Sequence, residues 1–310
     1  MIAEPRPYRS AADLPRMMAV LAAGRLAQTG TYYVHHGDVC WWLGYLLREK
    51  PWEQMITLWE DEEIPGGLAG WALLDPTYPS CDVVVHPALR GSKQAVEMLA
   101  WGIARLEQDA AAPGDTAIHI GWVAEHDDAL GPLLAGWGFS GTPSLIAYTR
   151  PLDALPEVTL PPGFSAQTVG GEADAERRAR ASHGAFGSSR PFPAYLERYR
   201  GFMGSALYDP ESDMMITAPE GRAAAFCIAW IDPATRTGLF EPVGTHPDFQ
   251  GRGLGRAMLA EGMRRMQARG MTQAIVCAEV DNLAAQGLYR SVGFEAVTRL
   301  YDFTRPIVRR

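Results

Sequence analysis

The sequence predicts an α/β (α+β) protein in which one unit is repeated in tandem. Ordered recurrences carry that expectation. Met55-Ile56-Thr57 returns as Met215-Ile216-Thr217, Trp71…Asp75-Pro76 as Trp230…Asp232-Pro233, and His86-Pro87 as His246-Pro247. Near the ends, Gly138-Phe139…Thr149-Arg150-Pro151 returns as Gly293-Phe294…Thr304-Arg305-Pro306. Chance supplies one such pair but not the series in order. Each copy also alternates helical periodicity with short apolar runs, and each has a strand, a polar turn and a helix start at the same place, Val83–Ala95 and Val243–Ala257.

The elements follow in order. An amphipathic helix opens each copy, Ala11–Leu26 and Glu172–Ala185, and a second helical stretch follows at Cys40–Glu49 and Ala194–Met203. In the second copy, hydrophobic strands are expected near Met214–Thr217, Ala223–Ile231 and Thr237–Thr245, with Pro219-Glu-Gly and Asp232-Pro at the breaks. After the turn, Met258, Leu259, Met263 and Met266 recur at helical spacing, and Gly270 is a natural helix stop. A buried strand Gln273–Ala278, a helix from Asn282 and a last strand Ala296–Phe303 complete the copy. Four prolines in Pro151–Pro162 mark a linker, so the domains are read as 1–150 and 163–310.

Bulk properties exclude several classes. With 310 residues, 47% hydrophobic and 21% charged, the chain suits two ordinary globular domains. No window is apolar enough to cross a bilayer, and the N-terminus has no apolar signal core, so a cytoplasmic protein is expected with no membrane partner. Cys40, Cys81, Cys227 and Cys277 lie far apart without a Cys-x-x-Cys, which indicates neither a metal site nor a disulfide framework. Residues 1–150 hold 10 Lys+Arg against 18 Asp+Glu, a charge of −8, and the remaining residues hold 18 of each. An acidic half argues against nucleic acid and suits a cationic amine. Eight of the nine tryptophans lie in the first half, where core packing accounts for them; the Tyr32-Tyr33…His35-His36…Trp41-Trp42 cluster is a candidate cleft lining.

The chemistry centres on Val243-Gly-Thr-His-Pro-Asp-Phe-Gln-Gly-Arg-Gly-Leu-Gly-Arg-Ala257. Backbone N–H groups without intervening side chains, at the positive end of a helix, suit an anion. No Lys follows the glycines, so this is not a Walker loop. The dinucleotide fingerprint would need a glycine at 256, which is Arg. What fits is Gln/Arg-x-x-Gly-x-Gly/Ala, and Gln250-x-x-Gly253-x-Gly255 closely resembles that motif of the GNAT N-acetyltransferases. Asn282…Tyr289…Gly293-Phe294, at the right distance downstream, is similar to a later motif of the same superfamily.

The resemblance implies two GNAT-like domains, each a mixed, mostly antiparallel sheet flanked by helices, and acetyl-CoA as co-substrate. Backbone at Val243, Gly244 and Thr245 would pair with the pantetheine arm, and one of those amides would polarise the thioester carbonyl. Amides of Gln250, Gly251, Arg252, Gly253, Leu254, Gly255 and Arg256 would take the pyrophosphate, with the Arg252 and Arg256 side chains adding charge. Asn282 would contact the cofactor arm, although a plain helix N-cap explains it equally. Tyr289 would be the general acid for the leaving thiolate; a phenol is protonated at neutral pH. Glu241, between Phe240 and Pro242, is read either as the base that deprotonates the amine or as a substrate contact. His183 and His246 are titratable neighbours, but His246 recurs as His86, which favours a structural role.

The first copy keeps the pattern and loses these groups. Lys93 and Ala95 stand for Gly253 and Gly255, Asp127 and Leu134 for Asn282 and Tyr289, and Cys81 for Glu241. A leucine donates no proton. The expectation is an N-acetyltransferase acting on a primary amine of a small molecule in the second copy, beside a degenerate first domain. Tandem architecture of this length is similar to that of mycothiol synthases, which acetylate a cysteinyl sugar. The other class is a non-catalytic acyl-CoA-binding regulatory module. Oligomeric state and acceptor are not legible.

Overall fold

In the computed structural model, which describes residues 4–75, 78–109, 116–157 and 159–307, the two repeats form matching successions of elements. The first runs β1 (Arg6–Pro7), α1 (Asp13–Ala27), α2 (His36–Trp41), a π turn (Trp42–Leu46), α3 (Trp52–Met55), β2 (Ile56–Glu60), β3 (Leu68–Asp75), β4 (Ser80–Val85), α4 (Lys93–Asp109), β5 (Ala117–Ala124), α5 (Leu130–Gly136) and β6 (Ser140–Pro151). The second runs β7 (Ser165–Thr168), α6 (Gly171–Ala185), α7 (Phe192–Met203), β8 (Asp213–Thr217), β9 (Ala223–Asp232), β10 (Thr237–Thr245), α8 (Leu254–Ala268), β11 (Gln273–Glu279), α9 (Leu283–Ser291) and β12 (Glu295–Pro306). Short 3₁₀ turns, Pro87–Leu89 and Pro247–Phe249, follow β4 and β10. Pro76 of the first Asp-Pro break and Val158 of the proline-rich segment lie outside the described residues.

Each copy opens on a short strand ahead of its first helix. Two and four residues are too few for an alternation to show in the sequence. The second helical stretch of the first copy begins earlier than expected, at His36, and passes into the π turn at Trp42.

Two compact units emerge, and neither is contiguous in sequence. One comprises Met1–His36, Glu49–Ile146 and Thr298–Arg310; the other comprises Gly37–Arg48 and Ala147–Val297. In the first unit β1, β2, β3 and β4 pair antiparallel in that order, β4 pairs parallel with β5, and β5 pairs antiparallel with Leu300–Pro306 of β12. In the second, β7, β8, β9 and β10 pair antiparallel in order, β10 pairs parallel with β11, and β6, whose residues 147–151 belong to this unit, lies next to β11. Each unit is therefore a mixed, mostly antiparallel sheet flanked by helices, and each takes part of its last strand from the other repeat.

Packing follows the apolar pattern. In the second unit β9 is buried nearly throughout, and its Ala223-Ala224-Ala225 run lets covering helices approach closely. Met258, Leu259, Met263 and Met266 of α8 are fully buried, each contributing about 1.5–3 kcal/mol by burial. Arg178 of α6 is buried between the Phe226 and Tyr199 rings and paired with Asp213 at 3.0 Å; Tyr199 donates to the same carboxylate. That buried charge is tolerable only because it is paired and hydrogen-bonded. In the first unit Trp59, Met98, Leu99, Ile118 and Leu134 form the centre of an equivalent core.

Candidate active site

At the end of β10 the chain enters the glycine turn. Gly251 and Gly253 both adopt φ of +75°, which side chains other than glycine's rarely accept. Gly253 is the N-cap of α8, and no side chain caps that end. Gly251, Arg252, Gly253 and Arg256 are exposed, whereas Leu254 is buried and anchors the helix. Gln250 donates from Nε2 to the Thr245 carbonyl at 3.3 Å and closes the loop from within. Arg252 donates to the Asp248 carbonyl at 3.3 Å, with its guanidinium 5.4 Å from the Phe249 ring centre. Gly255 faces Leu288 of α9, where an added Cβ would lie 3.1 Å from a methyl group. The turn thus offers backbone donors at the positive end of a fifteen-residue helix, beside two arginines.

Upstream, β10 is built to part from its neighbour. Thr237–Leu239 pair parallel with Gln273–Ile275 of β11, and the pairing described there goes no further. On its other edge Val243, Gly244 and Thr245 stay paired with Cys227, Phe226 and Ala225 of β9. Between Phe240 and Val243 the register shifts, two residues of β10 lying opposite one of β9. Such a bulge re-aims side chains. The two re-aimed residues are Glu241 and Pro242.

Glu241 meets Asp38. This aspartate, 3% exposed on α2, belongs to the second unit although it lies in the first repeat of the sequence. Burial, the Asp38 charge and a hydrogen bond between the two carboxyl groups raise the Glu241 pKa well above the carboxylate range. Asp38 is buried and Glu241 partly so, and two hydrogen-bonded acids in such a place resist ionising together. Trp230 fixes the backbone by donating from Nε1 to the Glu241 carbonyl at 2.7 Å. Gly37 is glycine because a Cβ there would collide with the Trp230 indole. That close approach brings Asp38 in.

Tyr289 is 6% exposed on α9, edge-on to Tyr148 at 5.9 Å and tilted against Phe294 at 6.2 Å. Its hydroxyl has no hydrogen-bond partner among the described residues. Burial first, then the Cys277 and Glu241 charges, push its pKa up, so the phenol holds its proton and Glu241 and Cys277 lie within electrostatic reach. Asn282 accepts from the Ala285 amide at 3.0 Å and caps α9. His246 accepts at Nδ1 from the Asp248 amide at 3.2 Å, as His86 accepts from the Ala88 amide at 3.3 Å. Both histidines cap the 3₁₀ turn, the structural role that their recurrence suggests. His183 faces the Arg190 carbonyl at 2.9 Å and packs edge-on against Tyr195.

The bulge and the partner of Glu241 are missed by sequence reasoning. Asp38 has no motif and lies 203 positions upstream; only its sharing of a helix turn with Gly37 and Trp41 hints at a packed segment. Cys277 is partly buried and close enough to Tyr289 to act on it electrostatically, a proximity that cysteine spacing does not show. The aromatic cluster divides: Tyr32 and Tyr33 belong to the first unit, whereas Trp41 stacks on Tyr45 at 4.1 Å in the second.

In the first unit Lys93 does not fill the corresponding turn. It is 88% exposed, starts α4, and pairs with Glu97 at 3.3 Å. Arg90, at the position of Gln250, folds back instead: it donates to Thr31 Oγ1 at 3.0 Å and pairs with Asp127 and Asp128. Asp127 caps α5 through the Ala129 and Leu130 amides, each at 2.9 Å, as Asn282 caps α9.

A profile of the acetyltransferase (GNAT) family matches residues 178–294, which lie within the second unit. Over 252 residues the chain is 30% identical to the mycothiol acetyltransferase of Thermomonospora curvata, covering 78% of this chain and 80% of the relative. It is 28% identical over 247 residues to that of Streptomyces bingchenggensis, covering 75% and 76%. The chain belongs to the GNAT family of N-acetyltransferases. Solved GNAT structures share its fold across both repeats. A tandem GNAT protein from the clavulanic acid biosynthesis pathway superposes with a TM-score of 0.70 at 15% identity, covering all of both chains. A GCN5-related N-acetyltransferase from Sphaerobacter thermophilus superposes with a TM-score of 0.68 at 22% identity, covering 99% of this chain and 96% of that one. Among the described residues of this GNAT protein, no helix is long and apolar enough to cross a membrane.

Proposed function

We propose that the second unit transfers the acetyl group of acetyl-CoA directly to a primary amine of a small molecule. One observation carries this: Glu241 and Tyr289 stand within electrostatic reach of each other where β10 parts from β11, upstream of an uncapped, glycine-turned helix start. Amides from Gln250 through Arg256 suit the pyrophosphate. The edge of β10 at Val243–Thr245 suits the amide-bearing arm, as an added strand would. Asn282 is already engaged as a cap, so its contact with the arm runs through its remaining amide group.

Acetyl-CoA supplies an activated thioester. The residues manage two protons. Glu241, its pKa raised by burial and by Asp38, takes the proton from the attacking ammonium more readily than an ordinary carboxylate. Asp38 holds Glu241 in place and keeps that basicity high. As the new C–N bond forms and the C–S bond breaks, Tyr289 gives its proton to the departing sulfur. The second proton on nitrogen leaves as the adduct collapses and returns through water to the Tyr289 phenolate, while Glu241 gives its proton to bulk water; one proton is released per turnover and both groups are restored.

The repeats at 1–150 and 163–310, joined at 151–162, then divide the work: the second is catalytic and the first is a degenerate partner in a cytoplasmic enzyme. The names of the relatives make a cysteinyl sugar the first acceptor to try. The test is an amine panel with acetyl-CoA, containing a cysteinyl sugar, aminoglycosides and polyamines, with thiol release as readout. At least one amine is expected to accelerate release far above slow hydrolysis. CoA binding with no accelerating amine in a broad panel would favour a sensor instead.

A further inference from the structure

Between β4 and β5 the first unit keeps a cavity of about 380 Å³, a size suited to a small molecule. It opens because the strands part: the parallel pairing described between them is confined to Ser80 and His119. Its walls are mainly aliphatic, among them Val83, Leu99 and Ile120. The charged groups that line it are already engaged. Arg90 is held by Thr31, Asp127 and Asp128, the Asp127 side chain has no exposed surface, and Asp82 has a partner of its own. Neither an ammonium nor a phosphate finds an unanswered opposite charge here, and a charge buried without one is costly.

Two further observations point to what the cavity takes. The first is in the backbone. The His86 amide donates to the Ala69 carbonyl at 2.8 Å, on the side of β3. Residues of an antiparallel ladder alternate in the edge they face, so Val85 and Val83 turn their N–H and C=O groups the other way, toward the gap. Tyr33, which lines the cavity, meets the Val85 carbonyl there and donates to it at 2.8 Å. Val83 thus presents a donor and an acceptor together, the pair that a secondary amide complements. The second observation is aromatic. Between Ile120 and Val123, two residues of β5 lie opposite one of β12, a bulge in which Trp122 adopts φ of +60°, strained for a bulky residue. Trp122 stacks on Tyr32, the rings within 10° of parallel and 6.0 Å apart, and both line the cavity. Strain of this kind persists where a side chain is held for a purpose.

We infer that this cavity binds an uncharged aromatic secondary amide, with its amide on the Val83 backbone and its ring against Tyr32 and Trp122. The inference does not rest on acetyl transfer by the second unit, because the test contains no acetyl donor. N-acetylphenethylamine, phenethylamine and 3-phenylpropionate are titrated separately into the full chain by calorimetry, the first also with saturating CoA. The amide is expected to bind at least about tenfold more tightly than either charged analogue, since it alone enters without stripping a charge of its water. Saturating CoA is expected to leave its affinity unchanged. Tyr32→Leu keeps an apolar wall, and Trp122→Gly suits the backbone conformation; each is expected to weaken amide binding about fivefold or more. Should Trp122→Gly fail to fold, Tyr32→Leu decides alone. Absence of amide binding to millimolar concentration, equal binding of a charged analogue, displacement by CoA, or an affinity that Tyr32→Leu leaves unchanged would each overturn the inference.

Discussion

The turns at Val83–Ala95 and Val243–Ala257 start from the same framework and end in opposite chemistry. Both follow a strand, both are closed by a histidine that caps a 3₁₀ turn, and both lead into a long helix. In the second unit the turn is glycine-lined and exposed, and its charged neighbours Arg252 and Arg256 leave it positive. In the first, Arg90 folds back onto Asp127 and Asp128 and the turn's charge is neutralised locally. The two turns differ less by inserted bulk than by the internal partners that the first turn's cation has acquired. Lys93, the residue that most plainly breaks the glycine pattern, points away into solvent.

Substitutions put the contrast between the two turns to the test. The largest effect is expected from Tyr289→Phe, which should lower kcat by about 10²–10⁴-fold, the usual range for losing a general acid, with little change in the KM for acetyl-CoA. An unchanged kcat would return Tyr289 to the role of a core aromatic. Glu241→Gln should cost about 10²-fold at neutral pH. In the unsubstituted chain the rate should rise with pH through the raised Glu241 pKa; the Gln variant should lose that limb. Copying the first unit's residue into the second, Gly253→Lys, forces a side chain into φ of +75° at the helix start. CoA binding should weaken by about tenfold or more, since a fixed anion–helix contact and its geometry are lost together. Asp38→Asn should have a smaller effect on rate. With the acidic neighbour gone, the Glu241 pKa falls and the acid limb of the profile moves to lower pH. An unmoved limb would remove Asp38 from the mechanism.

The smallest effect concerns stability of the first unit. Hydrogen bonds from Arg6 hold Asp13 at a pKa of about 2, and hydrogen bonds from Arg6 and then Arg16 do the same for Glu60. Both values lie below those of the unfolded chain. The network therefore stabilises fully above the ordinary carboxylate range and loses its contribution as pH falls toward about 2. Arg6→Met should lower Tm near neutral pH and shrink the difference from the parent in acid; a difference independent of pH would contradict this.

Much of the second unit's site was legible because local rules specify it. Glycines at 251 and 253 announce positive φ, the Met258–Met266 spacing announces the buried face of α8, and the order of Asn282, Tyr289 and Gly293-Phe294 announces α9 and its exit. The repeat made the histidines interpretable, since a group kept in both copies is explained by what both copies share. What stayed hidden depends on distant chain segments. Nothing near Asp38 shows that α2 leaves the first repeat to face Glu241. The exchange of strand ends, 147–151 into one unit and 298–306 into the other, leaves no local trace, because a strand's alternation is the same whichever sheet receives it. The bulge at Glu241-Pro242 could be suspected from the proline, but its consequence for the Glu241 side chain needs the neighbouring strand.

The proposed function requires one working acetyl-CoA site per chain, in the second unit. Calorimetric titration of the full chain with CoA, run beside Gly253→Lys, counts the sites. One site per chain, weakened by that substitution, is the predicted result; two equal sites, or one site that the substitution leaves untouched, would contradict it.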